Sequence, residues 1–145
     1  MALPLALLAL LVIGMVVAGT FTTALLEQRV GRNTLYVVQA AGAVEVGAAT
    51  VVGEWSDHGL DVLAPGETVS LARVPLPDRT AYAASVTRLN GELFLVKVVG
   101  TRDAADGLPL ARRAAGLIVR RSDSAPPGAP PVGATANRAW AWRAP

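Results

Sequence analysis

No charged side chain occurs before Glu27. The run MALPLALLALLVIGMVVAGTFTTALL is longer than the roughly 20 apolar residues a helix needs to cross a bilayer core. A chain of 145 residues has too little other protein to bury such a helix on every side. Membrane insertion is therefore the first expectation. A cleaved secretory signal would need a basic region ahead of its apolar core, and no Lys or Arg stands there. The nearest positive charges, Arg29 and Arg32, follow the run. Taken by the positive-inside tendency, they place the rest of the chain in the cytoplasm. Alternatively, Met1 is the start of a mature product from which a short basic leader has been removed.

The interior of the run is uneven. Gly14 and Gly19, followed by Thr20, Thr22 and Thr23, are weak helix formers, so residues 14–23 are where a helix is expected to loosen. Pro4 sits in a first turn, where its missing N–H is harmless. Beyond the run, Leu26, Val30, Thr34, Val37, Ala41, Val44, Ala48, Val51 and Trp55 recur at spacings of three and four, the signature of one helical stripe. Gln28, Arg29, Arg32, Gln39, Glu45 and Glu54 fall mostly off that stripe. The spacing predicts one very long helix over residues 1–53, ended by Gly53 or the turn-rich SDHG after it.

Extended segments follow. TVSLARVPL (68–76) alternates in strand period and is bounded by Pro65-Gly66 and by Pro75 and Pro77. AYAASVTRL and ELFLVKVV are separated by Asn90-Gly91, a pair that favours a type I′ hairpin turn. ARRAAGLIVRRS (111–122) is a fourth strand candidate, with helix competing for its Ala-Arg start. These segments predict a meander of three or four antiparallel strands over residues 54–122, laid against the helix stripe. The hairpin carries apolar residues on both faces, so the buried one is left open. Four prolines within 126–131 then favour an extended tail over 123–145, in which Trp140 and Trp142 alternate with Ala. The fold class is α+β.

Hydrophobic residues make up 52% of the chain and aromatic ones only 5%, so the apolar weight is Ala, Val and Leu, suited to helix packing and thin sheets. A deep enzyme pocket is disfavoured. The chain has no cysteine, which removes disulfides, thiolate metal sites and cysteine nucleophiles together. A net charge of +2 is too small to argue for nucleic acid.

MALPLALLALLVIGMVVAG, EQRVGRNTL and QAAGAVEVGAA, which cover about the first third of the chain, resemble the type IV pilin-like superfamily. The likeness is to minor pilins with a PilX-type N-terminus and to type II secretion pseudopilins. The resemblance implies a lollipop-shaped subunit whose N-terminal helix is held in the inner membrane and then bundled in a filament core, extracellular or periplasmic. It implies a processed and methylated N-terminus at Met1, helix loosening at Gly14 and Gly19, and filament-core packing through Leu7, Leu11, Val16 and Leu25. Helix–sheet packing would fall to Val30, Val37, Ala41, Val44, Ala48 and Val51, and tail contacts to Trp140 and Trp142. Many pilins carry a glutamate at the fifth mature position that neutralises a neighbour's N-terminal amine. This chain has Leu5 there, so either the Met1 amine is compensated by backbone carbonyls or the subunit occupies a place, such as a tip, where no neighbour needs pairing; Leu5 bears on the major-subunit role, not on the resemblance.

Other motifs are weak. His58 in WSDHGLD is the sole histidine, and a specific metal site needs more ligands than its neighbours Asp57 and Asp61 supply. DAADG (103–107) lacks the ligand spacing and closing glutamate of a calcium loop and reads as a turn. Arg112, Arg113, Arg120 and Arg121 have no interleaved aromatics, so a solvated edge is favoured over a DNA-binding surface. No nucleophile elbow, phosphate-binding loop or dinucleotide fingerprint occurs. The sequence thus points to a structural filament subunit with no cofactor and no enzymatic activity, partnered by copies of itself or by other pilin subunits. The alternative is a single-pass membrane protein with a small envelope-facing interaction domain that never polymerises.

Overall fold

The computed structural model describes residues 2–121 and 132–134. Met1, Trp140, Trp142 and most of the tail lie outside the described residues, as does the side chain of Leu5. One helix, α1, runs Ala2–Gly53, which at 1.5 Å per residue is about 78 Å long. It is unbroken at Gly14 and Gly19, so the loosening expected over 14–23 is not seen. Threonine hydroxyls on this stretch turn back onto the helix: Thr20 donates to the carbonyl of Val17, Thr22 to those of Ala18 and Gly19, and Thr23 to that of Gly19, at 2.8–3.0 Å. Each hydroxyl is thereby satisfied without leaving the helix, which suits an apolar surrounding.

The chain divides between Leu35 and Tyr36 into two units, so the boundary lies inside α1 and not at its end. The first unit is helix alone. The second contains the last turns of α1 and an antiparallel sheet of β1 (Thr68–Ser70), β2 (Val74–Leu76), β3 (Thr80–Arg88), β4 (Leu93–Asp103), β5 (Pro109–Arg121) and β6 (Val132–Ala134). The α+β class and the meander are as expected, with two differences. The segment 68–76 forms two short strands on the same edge of β3, interrupted at 71–73, and residues 132–134 of the tail pair with β5. Alternation along β5 resolves the competition with helix in favour of a strand of 13 residues.

Register settles which sheet face is buried. Val86 pairs with Val96 and Val96 with Leu117; Phe94 pairs with Val119; Ala84 pairs with Val98. All seven are buried, on one face. Ala40, Ala43, Val44, Ala48, Val51 and Trp55 complete the core from the helix side, at spacings of three and four. Two glycines set how closely the layers meet. A Cβ on Gly100 would lie 2.2 Å from the carbonyl oxygen of Ala40, and one on Gly47 would lie 2.6 Å from the Tyr82 ring. Backbone and ring therefore occupy the space that side chains would need.

The turns also differ from expectation. Neither Asn90 nor Gly91 has a positive φ, so the β3–β4 connection is not type I′. The Asn90 side-chain oxygen instead accepts from the N–H groups of Glu92 and Leu93, at 2.9 and 2.8 Å. Asn90 thus serves as a hydrogen-bonding turn residue, a role its short amide fills as readily as a left-handed one. The left-handed pair falls between β2 and β3, at Asp78 and Arg79, with φ of 57° and 54°. Thr80 closes that turn by donating its N–H and its hydroxyl to the Pro77 carbonyl.

Candidate assembly surface

From Leu7 to Leu26 the helix presents Leu, Val, Ile, Met and Phe side chains around its whole circumference. Leu7, Leu11, Val16 and Leu25 are 60%, 56%, 61% and 56% exposed, and the intervening Leu8, Leu10, Val12, Ile13, Met15 and Val17 are exposed as well. A helix apolar on all sides is built for an apolar surrounding, not for one buried face. It is long and apolar enough to cross a membrane. The first charged groups, Glu27, Arg29 and Arg32, stand exposed after it.

The residues predicted to pack on the sheet fall into three groups. Val44, Ala48 and Val51 are buried, and Val37 and Ala41 are half-buried. Val30 is 64% exposed and belongs to the helix-only unit, which corrects its assignment. The physical reason is extent: the buried stripe begins at Ala40, so an apolar residue ten positions earlier has no sheet under it. Ala40, Ala43 and Gly47 were missed, because a stripe traced through the larger side chains runs along the margin of this one. Their signal is the run of small residues at i, i+3 and i+7, which marks where backbone comes close.

Polar contacts hold the second unit together. The guanidinium of Arg88 donates to three carbonyls, those of Leu63 at 2.6 Å and of Asn90 and Gly91 at 2.9 Å, and lies 5.5 Å from the Phe94 ring centroid. That one side chain ties the helix-to-sheet loop to the β3–β4 turn. Trp55, edge-on to Phe94 at 5.0 Å, donates to Asp61 at 3.2 Å. At the other end of the sheet, Arg102 donates to the Gln39 side chain at 2.9 Å and lies over the Tyr36 ring. Arg73 pairs with Asp103, and Arg120 with Glu92 at 2.7 Å.

The weaker motifs acquire structure without acquiring chemistry. His58 faces Glu54 at 3.6 Å, one helical turn away. Among the described residues no three His, Cys, Asp or Glu side chains gather as they would around a metal ion. DAADG is the β4–β5 turn, with Gly107 at φ 83°. The four arginines of β5 do not form one patch: Arg112 opposes Thr101 and Arg113 opposes Gly100, so strand alternation sends them to opposite faces. Recesses on the described surface lie at sheet margins, one beside Asn90–Leu93 and Arg120 and another beside Arg73, Arg79 and Asp103.

No known protein family, curated protein or solved structure matches the chain.

Proposed function

We propose that this chain is a structural subunit of a type IV pilus-like or type II secretion-type filament, in the pilin-like class its N-terminal sequence resembles. In this reading residues 1–26 hold the subunit in the inner membrane before assembly, and then bundle with the same segment of other subunits. The observation that carries the reading is the change of character along one continuous helix. Up to Leu35 its apolar side chains are exposed on all sides, and from Tyr36 it is the support of a small sheet. Exchange of lipid for neighbouring helices keeps such a surface covered throughout, with Ala9, Gly14, Ala18 and Gly19 permitting close approach. Head-to-tail contacts that do not close into a ring extend as a filament.

Electron microscopy of sheared cell-surface material, with an antibody against the sheet unit, tests this directly. Labelled fibres are expected. Recovery of the chain solely as a detergent-extractable membrane monomer, with no labelled fibre, would establish the non-polymerising single-pass reading instead. The same preparation checks the implied N-terminal chemistry, since mass spectrometry of the filament subunit is expected to find a methylated Met1.

A further inference from the structure

Within the second unit, β4 runs back along α1. A Cβ on Gly47 would lie 2.9 Å from Val98 Cγ1, Gly100 faces the Ala40 carbonyl, and Arg102 reaches Gln39 and the Tyr36 ring. Past Arg102, therefore, the β4–β5 turn emerges at the end of the unit where the chain enters it. Residues 105–110 are all exposed there, with Leu108 at 65% and Leu110 at 48%. The backbone of this turn is paired within itself. The Ala104 N–H donates to the Leu108 carbonyl at 2.8 Å, the Gly107 N–H to the Ala104 carbonyl at 3.2 Å, and the Leu108 N–H to the Asp106 carboxylate at 3.1 Å. These amides need no water, so the turn enters a drier surrounding at little cost. Two exposed guanidiniums flank it: Arg112 opposes Thr101, and the Arg79 carbonyl accepts from the Asp103 N–H. Neither guanidinium has a hydrogen-bond or ion-pair partner among the described residues.

We propose that Leu108 and Leu110 seat the sheet unit on the phospholipid surface of the membrane that holds the apolar run of α1. The proposal rests on residues 1–26 being held in that membrane, and it is independent of whether the chain then forms filaments. Continuity of the chain decides the occupant. Leu26, the last residue of the uncharged run, precedes Tyr36 by ten residues of α1, a rise of about 15 Å. The headgroup layer takes up about 5–8 Å of that rise outside the hydrocarbon core. What is left, about 7–10 Å, is no more than three extended residues of the turn. A separate protein must be met by diffusion, whereas the lipid surface is tethered to the same chain and is always at hand. The side chains suit the headgroup boundary and not the hydrocarbon core. Arg79 and Arg112 lay their stems along apolar surface and keep their charges at the phosphates, and the exposed carboxylates of Asp78 and Asp106 hold the contact shallow.

The absence of cysteine lets one position be labelled at a time. The full chain, reconstituted in vesicles of phosphatidylcholine and phosphatidylglycerol, carries an environment-sensitive fluorophore at Leu108→Cys, at Leu89→Cys or at Val16→Cys. Leu89 is 46% exposed in the β3–β4 turn, at the opposite end of β4, and serves as the control. All three side chains are exposed, so the label displaces no core. Lipids brominated near the top of their acyl chains are expected to quench the Leu108→Cys label at least three-fold more than the Leu89→Cys label, and lipids brominated deeper to quench the Val16→Cys label. Equal quenching at Leu108→Cys and Leu89→Cys, with Val16→Cys quenched, would overturn the proposal and leave the membrane-held helix standing. An unquenched Val16→Cys label would overturn both. A blue-shifted Leu108→Cys label that bromination leaves untouched would show that another protein surface, such as a second copy, covers the leucines, and would overturn the proposal as well.

Discussion

Gly100→Ala adds one methyl group where α1 and β4 meet. The added Cβ would sit 2.2 Å from the Ala40 carbonyl oxygen and 2.9 Å from both the backbone nitrogen and the Cγ2 of Val44. Two of these atoms are helix backbone, so no rotamer change makes room and the helix must retreat by about 1 Å to restore van der Waals distance. A gap of that size forfeits a quarter to a half of each dispersion contact under Val44, Ala48 and Val51, which are among the most buried helix side chains. Overpacking of this kind costs about 1–3 kcal/mol, and the backbone contact places Gly100→Ala at the upper end. Gly47→Ala meets the Tyr82 ring at 2.6 Å and Val98 Cγ1 at 2.9 Å, both side-chain atoms that can shift, so about 1–2 kcal/mol is expected. Gly42→Ala has nothing within 4 Å and lies inside the same helix, so it is expected to stabilise by about 0.5–1 kcal/mol. Urea unfolding in detergent, followed by the fluorescence of Trp55 in a background of Trp140→Phe and Trp142→Phe, measures all three. If Gly100→Ala proves as harmless as Gly42→Ala, the close seating of helix on sheet is refuted.

Three further substitutions probe separate features. Arg79→Gly relieves a left-handed residue and is expected to raise stability by about 1 kcal/mol in the same unfolding assay. Arg88→Met keeps the stem over Phe94 but strips the donors from three carbonyls. It is expected to cost about 2–3 kcal/mol, and hydrogen exchange should rise first around 63–67 and 89–93. Single Trp substitutions across Leu7–Leu26 should impair recovery of sheared fibres with a period near 3.6 residues, because bundled helices distinguish their faces; defects without a period would argue that lipid alone surrounds the segment.

What the sequence made legible divides by the kind of signal. Helix and sheet were readable because each has a period: spacings of three and four ran through Val44, Ala48, Val51 and Trp55, and alternation marked β3 to β5. The extent of helix–sheet contact was not readable, because Val30 continues the same period where no sheet lies beneath it. Local turn chemistry misled at Asn90-Gly91. That dipeptide permits a type I′ turn, but the Arg88 guanidinium takes up the Asn90 and Gly91 carbonyls and the amide of Asn90 organises the loop from the side chain. The true left-handed pair, Asp78-Arg79, has no glycine to announce it. Core glycines were similarly silent, since Gly47 and Gly100 matter for what touches them and their contacts come from distant parts of the chain. For the apolar N-terminal segment the uncharged run was the decisive signal, and the structure leaves its described apolar side chains from Leu7 to Leu26 exposed.

The division at Leu35–Tyr36 falls inside one helix, and the helix is long and apolar enough ahead of it to cross a membrane. Past Tyr36 its small residues meet a sheet, and Arg102, reaching Gln39 and stacking over Tyr36, marks where that contact begins. Ahead of it, side chains such as Val16 and Leu25 are 61% and 56% exposed, and in the proposed reading lipid or other helices cover them. Stability of the sheet unit and insertion of the N-terminal segment should therefore be separately tunable. Gly100→Ala lowers the first by closing space at a buried layer, and Val16→Lys opposes the second by about 2.5–3.5 kcal/mol on the insertion scale. The two sites share no partner and lie in different units, so their effects are expected to add within about 0.5 kcal/mol in the double variant. A departure from additivity beyond that would mean that what surrounds the first 35 residues also reaches the core of the sheet.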